Sequence, residues 1–212
     1  RAVNKSIQRS LDERVLTAQT VAQSVDQILA RTLGDLEEFA AVYSGDVEDD
    51  DPYPESQALD NLHRWSRTLT QVFLLDGEGR VVHTQPTQPE WIGNPLTDDP
   101  KTVATLATLN KTEHYIASTF VPGPAESRVF SIFVPLLGGR GELIGVVGGY
   151  LDLSRSGVSA LISPVRLGNT AYAEIVDEAG EVMATTRSQP QAITTEETEY
   201  AAHLATLVKA RQ

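Results

Sequence analysis

The sequence predicts an α+β chain: a long N-terminal helix, a module with a five-stranded antiparallel sheet, then a second, incomplete module of the same kind. Three observations carry this. Apolar residues recur at helical spacing over the first forty-odd positions, and short β-like runs separated by glycine turns follow. One helix, strand, turn, strand pattern then occurs twice, about a hundred residues apart.

Ile7, Leu11, Ala18, Val21, Val25 and Ile28 follow a 4-3 alternation that only Arg14 breaks. The stripe continues one position later through Leu29, Leu33, Leu36, Ala40 and Tyr43, a shift that resembles a coiled-coil stutter. Ser44-Gly45 ends the helix. At about 1.5 Å per residue such a helix is on the order of 60 Å long, more than one small domain needs, so its N-terminal half is expected to pair with a second copy in a homodimer.

The run DVEDDD from Asp46 to Asp51, with Pro52 and Pro54, reads as a solvated linker, because it lacks the ligand spacing and turn glycine of a calcium loop. Leu59, Leu62, Trp65 and Leu69 mark a short amphipathic helix, and Val72-Phe73-Leu74-Leu75 a buried strand. Asp76-Gly77-Glu78-Gly79 is the turn into Val81-Val82, with Gly79 placed for the left-handed conformation of a tight hairpin.

A helix from Pro100 to Leu109 leads to three further runs, Tyr115 to Val121, Arg128 to Leu136 and Leu143 to Leu153, the last two joined by Gly138-Gly139-Arg140-Gly141. Five antiparallel strands with helices to one side make a PAS-like module. Its opening pattern returns as a helix around Val158 to Ile162, the strand and turn Ile175-Val176-Asp177-Glu178-Ala179-Gly180, the strand Val182-Met183, and a helix from Glu196 to Lys209. No further strand-like runs precede Gln212, so this second PAS-like module reads as incomplete. The expected division is 1–45 for the helix, 46–153 for the first module and 154–212 for the second.

Composition narrows the function. With 17 basic and 29 acidic residues the formal charge is −12, which opposes binding to nucleic acid or anionic lipid. The absence of cysteine removes disulfides, thiol catalysis and cysteine-bound zinc. Apolar stretches such as Leu143-Ile144-Gly145-Val146-Val147-Gly148-Gly149 fall far below the roughly 18 to 20 residues of a membrane helix. The chain opens at Arg1 inside a helical pattern and reads as a piece of a longer protein.

Catalytic patterns are missing. There is no Gly-x-Ser-x-Gly elbow, no phosphate loop, and His63, His83, His114 and His203 lack metal-ligand spacing. The expectation is a domain without enzyme activity, cofactor or metal. A PAS-like pocket is lined by alternating positions of the later strands, which selects Tyr115, Arg128, Phe130, Tyr150 and Asp152, with Trp91 as a loop-borne lid. Arg128 can pair a carboxylate or phosphate, Asp152 an amine, and the rings can cover an apolar body.

These residues resemble the double Cache sensor domains of bacterial histidine kinases, chemoreceptors and cyclic-dinucleotide signalling proteins. The resemblance rests on the long opening helix, Leu75-Asp76-Gly77-Glu78-Gly79-Arg80-Val81-Val82, Ile92-Gly93-Asn94, and Val134-Pro135-Leu136 followed by Gly145-Val146-Val147-Gly148-Gly149-Tyr150-Leu151-Asp152-Leu153; Leu167-Gly168-Asn169-Thr170-Ala171-Tyr172 opens the second module. It implies an extracytoplasmic sensor, most readily of a histidine kinase, anchored by flanking membrane spans. The first module is then membrane-distal and the second membrane-proximal, with the helix passing on the signal of a small bound molecule.

Amino-acid-binding members carry Arg-x-Trp-Tyr after the first hairpin, where this chain reads Asp98-Asp99-Pro100-Lys101-Thr102-Val103, and an Asp at the end of the last strand, which Asp152 matches. The resemblance therefore speaks against a free amino acid as ligand. The alternative is a ligand-free dimerisation or scaffold module that binds a protein partner.

Overall fold

Helix α1 (Ala2–Tyr43) runs unbroken for 42 residues. The computed structural model describes residues 2–43, 53–66, 68–96, 100–106, 109, 114–121, 127–152, 174–176 and 182–185. The acidic run 46–51, the helices expected around 158–162 and 196–209, and the Leu167 to Tyr172 motif lie outside the described residues. Two compact units are distinguished, residues 28–152, and residues 1–27 together with 153–212.

In the first of these, α2 (Tyr53–Trp65) precedes strands β1 (Leu69–Asp76) and β2 (Val81–Gln85), helix α3 (Pro100–Leu106), and strands β3 (Tyr115–Val121), β4 (Ser127–Leu137) and β5 (Leu143–Leu151). The strands form one antiparallel sheet in the order β2-β1-β5-β4-β3. This is the predicted α+β architecture. Chain order differs from sheet order because β5 inserts between β1 and β4, which makes it the central strand.

The hairpin between β1 and β2 turns as its sequence requires. Gly79 has φ +81°, its N–H donates to the Asp76 carbonyl, and Asp76 Oδ1 accepts from the N–H groups of Glu78 and Arg80. The amphipathic stripe of α2 ends earlier than its spacing predicts: Leu59 is fully buried, but Trp65 is 81% exposed at the helix end and Leu69 already lies in β1. The Ser66 N–H closes the last turn on the Leu62 carbonyl, so Trp65 stands at the exposed end of the helix and only Leu69 passes into the sheet.

Both faces of the sheet are buried, which explains why its strands read as continuous apolar runs. The register separates the faces. Phe73, Leu75, Val81, Val129, Phe133, Val146 and Tyr150 pack in one cluster, joined by Leu109 and by the partly buried Trp91, Leu96, Leu106, Tyr115 and Leu143. Val72, Leu74, Ile132, Val134, Leu136, Val147 and Leu151 hold the alternate positions. His83, opposite Leu74, reaches Asp60 of α2 on that second side, with Nε2 3.4 Å from Oδ1. Thr32 of α1 is fastened by hydroxyl contacts to the Ile28 carbonyl and to Thr68, at 2.8 and 3.0 Å.

The described part of the second module is the predicted hairpin, β6 (Glu174–Val176) paired antiparallel with β7 (Val182–Thr185).

Candidate functional site

The candidate site is the sheet face that carries the aromatic cluster, and its geometry follows from residues that sit opposite one another. Phe73, Gly148, Phe133 and Tyr115 form one row across four strands. Gly148 is required there: a Cβ would lie 2.5 Å from Phe73 Cε2 and 2.7 Å from the Ile132 carbonyl oxygen. The ring of Phe73 instead lies across the glycine, with its centroid 5.8 Å from Phe133 and 5.1 Å from Tyr150.

The next row is polar. Gln71, Tyr150 and Ser131 lie opposite one another on β1, β5 and β4. All three are buried, and Ser131 Oγ has no hydrogen-bond partner among the described residues. An orphaned buried hydroxyl is unfavourable by about 1–3 kcal/mol, which makes it a natural contact for an incoming polar group. Burial pushes the Tyr150 phenol up to about 12, so at neutral pH it stands as a protonated donor. Asp152, two residues on at the end of β5, is also buried and is engaged by a partner within the protein.

A segment from Pro86 to Leu96 lies along this face. Its far end is pinned to the hairpin by backbone hydrogen bonds from Val81 N–H to the Asn94 carbonyl, Gly93 N–H to Val81, and Leu96 N–H to Gly79. The segment carries Trp91, which meets Tyr150 edge-on with centroids 6.4 Å apart.

The structure thus brings Tyr115, Tyr150 and Trp91 to one cluster, with Asp152 beside it. Phe130 is placed differently from the expectation. Tyr115 pairs with Phe133 and Tyr150 with Ser131, so the odd positions of β4 share their face, while Phe130 pairs with Leu151 and belongs to the even series with Ile132 and Val134. A one-residue error of parity moved it to the wrong side. Arg128 pairs its backbone with Phe120 in that same even register, and its side chain lies outside the described residues.

Sequence reading missed Gln71 and Ser131. The signal was present as a single polar residue inside an otherwise apolar strand, Val129-Phe130-Ser131-Ile132-Phe133 and Leu69-Thr70-Gln71-Val72. Among the described residues no cluster of three or more His, Asp or Glu side chains is arranged to hold a metal, and no helix is long and apolar enough to cross a membrane.

A long helix followed by a PAS-like antiparallel sheet is the architecture expected of a Cache sensor domain. The family model for the Cache domain, dCache_1, matches residues 1–207, and the chain belongs to that family, whose domains bind ligands and do not catalyse reactions. No curated protein sequence matches the chain significantly. Among solved structures it is similar to an extracellular ligand-binding receptor from Desulfohalobium retbaense, with TM-score 0.69 and 14% identity over 90% of this chain and 34% of that one. The chain therefore spans about a third of that receptor's length.

It is also similar to the periplasmic sensory domain of the Campylobacter jejuni chemoreceptor Tlp1, with TM-score 0.60 and 11% identity over 90% of this chain and 81% of that one. A third similar structure is the ligand-binding domain of the Pseudomonas aeruginosa amino acid chemoreceptor PctC in complex with GABA, with TM-score 0.58 and 20% identity over 78% and 70%. The expectation that disfavoured a free amino acid is not borne out, since similar domains of this fold are held with amino acids.

Proposed function

We propose that this chain is the ligand-sensing domain of a transmembrane signal-transduction receptor, a histidine kinase, chemoreceptor or cyclic-dinucleotide enzyme, in which a small molecule bound on the sheet face is reported through α1. The observation that carries the reading is the buried, unpartnered hydroxyl of Ser131 in line with Gln71 and Tyr150. Such a row supplies hydrogen bonds above an aromatic floor, the combination that orients a small polar ligand. Trp91 and Tyr115 flank it, and Asp152 adds a carboxylate at its end. A ligand with an amine, such as an amino acid or GABA, complements these groups, and the similar Pseudomonas domain is in complex with GABA.

The test is thermal stabilisation by a panel of amino acids, small amines and small carboxylates. A hit is expected to raise the melting temperature saturably, by about 2.7 kcal/mol of stability at a hundredfold excess over Kd. Ser131→Ala should weaken that hit about tenfold while leaving the unliganded protein as stable or up to about 1 kcal/mol more so, because the orphaned hydroxyl is gone. Silence across the panel, or full affinity in Ser131→Ala, defeats the proposal.

A second reading, a dimerisation module, draws on Leu11, Val15 and Leu16, which are exposed along the first half of α1. This reading leaves the sheet face without a ligand, so saturable stabilisation by any compound of the panel decides against it.

A further inference from the structure

We infer that Gln71 is a latch that fastens the Trp91-bearing segment onto the ligand face and tightens when the site is filled. Gln71 is buried on β1. Its Nε2 donates to the Pro86 carbonyl oxygen at 2.6 Å and to Thr84 Oγ1, and Thr84, also fully buried, donates its hydroxyl to the same Pro86 oxygen at 3.3 Å. The amide has two hydrogens and these are its two acceptors.

That arrangement fixes which way the amide points. The Pro86 carbonyl can only accept, so turning Gln71 over would set one oxygen against another. Oε1 is consequently directed away from Pro86, and no hydrogen bond to it is formed among the described residues. Pro86 is the root of the segment that carries Trp91, and the far end is already pinned to the hairpin through Val81 and Gly79. Gln71 is therefore the side-chain tie at the near end, and it lies opposite Tyr150, the residue on which Trp91 rests.

The latch itself follows from this geometry, and its response to ligand rests on the proposed site. A ligand N–H that donates to Oε1 polarises the amide, which strengthens both Nε2 hydrogen bonds through cooperativity. Ligand binding then draws the root of the segment closer and steadies Trp91. One side chain in this way reads the ligand's donor and transmits its presence to a loop.

Trp91 reports on this directly. The chain has two tryptophans, and the other, Trp65, is exposed, so Trp65→Phe leaves Trp91 as the sole emitter at little cost. In that background Gln71→Glu keeps the shape but sets carboxylate oxygens against the Pro86 carbonyl. Acrylamide quenching of Trp91 without ligand is expected to rise about twofold while the thermal transition stays cooperative. Unchanged quenching in a folded Gln71→Glu overturns the latch. Should that variant not fold, Thr84→Val, which removes one of the two acceptors, is judged by the same criterion.

The ligand arm uses GABA and L-arginine as probes. The compound that stabilises the parent should lower Trp91 quenching there and leave it unchanged in Gln71→Glu. Equal protection of both proteins overturns the coupling. If neither probe affects the parent, the result counts against the ligand reading of the face, and the unliganded quenching still decides the latch.

Discussion

Tyr150 shows how a single side chain can be legible as a candidate site residue while its chemistry is not. The sequence places an aromatic residue at the end of a glycine-rich apolar strand, but only packing against Phe73 and Trp91 explains why its phenol is pushed up to about 12. The unfolded phenol titrates near 10.0. Below that pH both states hold the proton and Tyr150 adds no pH dependence. Between 10 and 12 the unfolded chain releases the proton first, so the stabilising preference for the neutral form is lost as pH rises, by about 3 kcal/mol in all. Tyr150→Phe cannot titrate. Urea unfolding of the two proteins from about pH 9 to about pH 12 should therefore show wild type losing stability relative to the variant only above pH 10. A gap that is independent of pH would mean that the phenol reaches water. Gln71 and Ser131 escaped the sequence reading for a related reason: a polar residue inside a buried strand announces a partner without naming which face it occupies.

At the scale of elements, the strands were readable and their faces were not. Apolar runs bounded by Asp76 to Gly79 and by Gly138 to Gly141 located the five strands to within a few residues, because glycine turns and β-branched residues are local signals. Parity is not local. Both faces of this sheet are covered, so Phe130 and Ser131 are equally acceptable neighbours in sequence, and only pairing with β5 decides which one meets Tyr150. The insertion of β5 between β1 and β4 likewise depends on contacts far apart in the chain. The glycines of β5 record that central position. A methyl group at Gly148 would press on the Phe73 ring and on the backbone oxygen of Ile132, which cannot give way. Gly148→Ala should destabilise the protein by about 1–3 kcal/mol. Gly139→Ala, at a turn where nothing lies within 4 Å of the added carbon, should stay within about 0.5 kcal/mol. Thermal melts of both variants check this, and equal melting temperatures would refute the close-packing account of β5.

For the molecule as a whole, the informative feature is that α1 belongs to two compact units. The division falls between Gln27 and Ile28, and the apolar stripe changes register at Ile28 and Leu29. Beyond that point Thr32, Leu36, Phe39 and Ala40 are buried, so the shifted stripe is the packing face of this half of the helix. Before it Leu11, Val15 and Leu16 are exposed by 48%, 55% and 63%. Val25, on the first stripe, is also buried, so each compact unit holds its own stripe of the helix and the register changes where the units divide. A 42-residue helix spans about 63 Å. Of the three exposed residues only Leu11 belongs to the 4-3 stripe, and Val15 and Leu16 widen the apolar surface beside it into one that a second helix could cover. Sedimentation equilibrium should accordingly show a concentration-dependent dimer, and Leu11→Lys should return it to a monomer without changing the thermal transition of the sheet. A wild-type chain that stays monomeric at the highest concentration reached would show that this stripe meets some other surface. A partner helix would then have no part in the proposed signalling through α1.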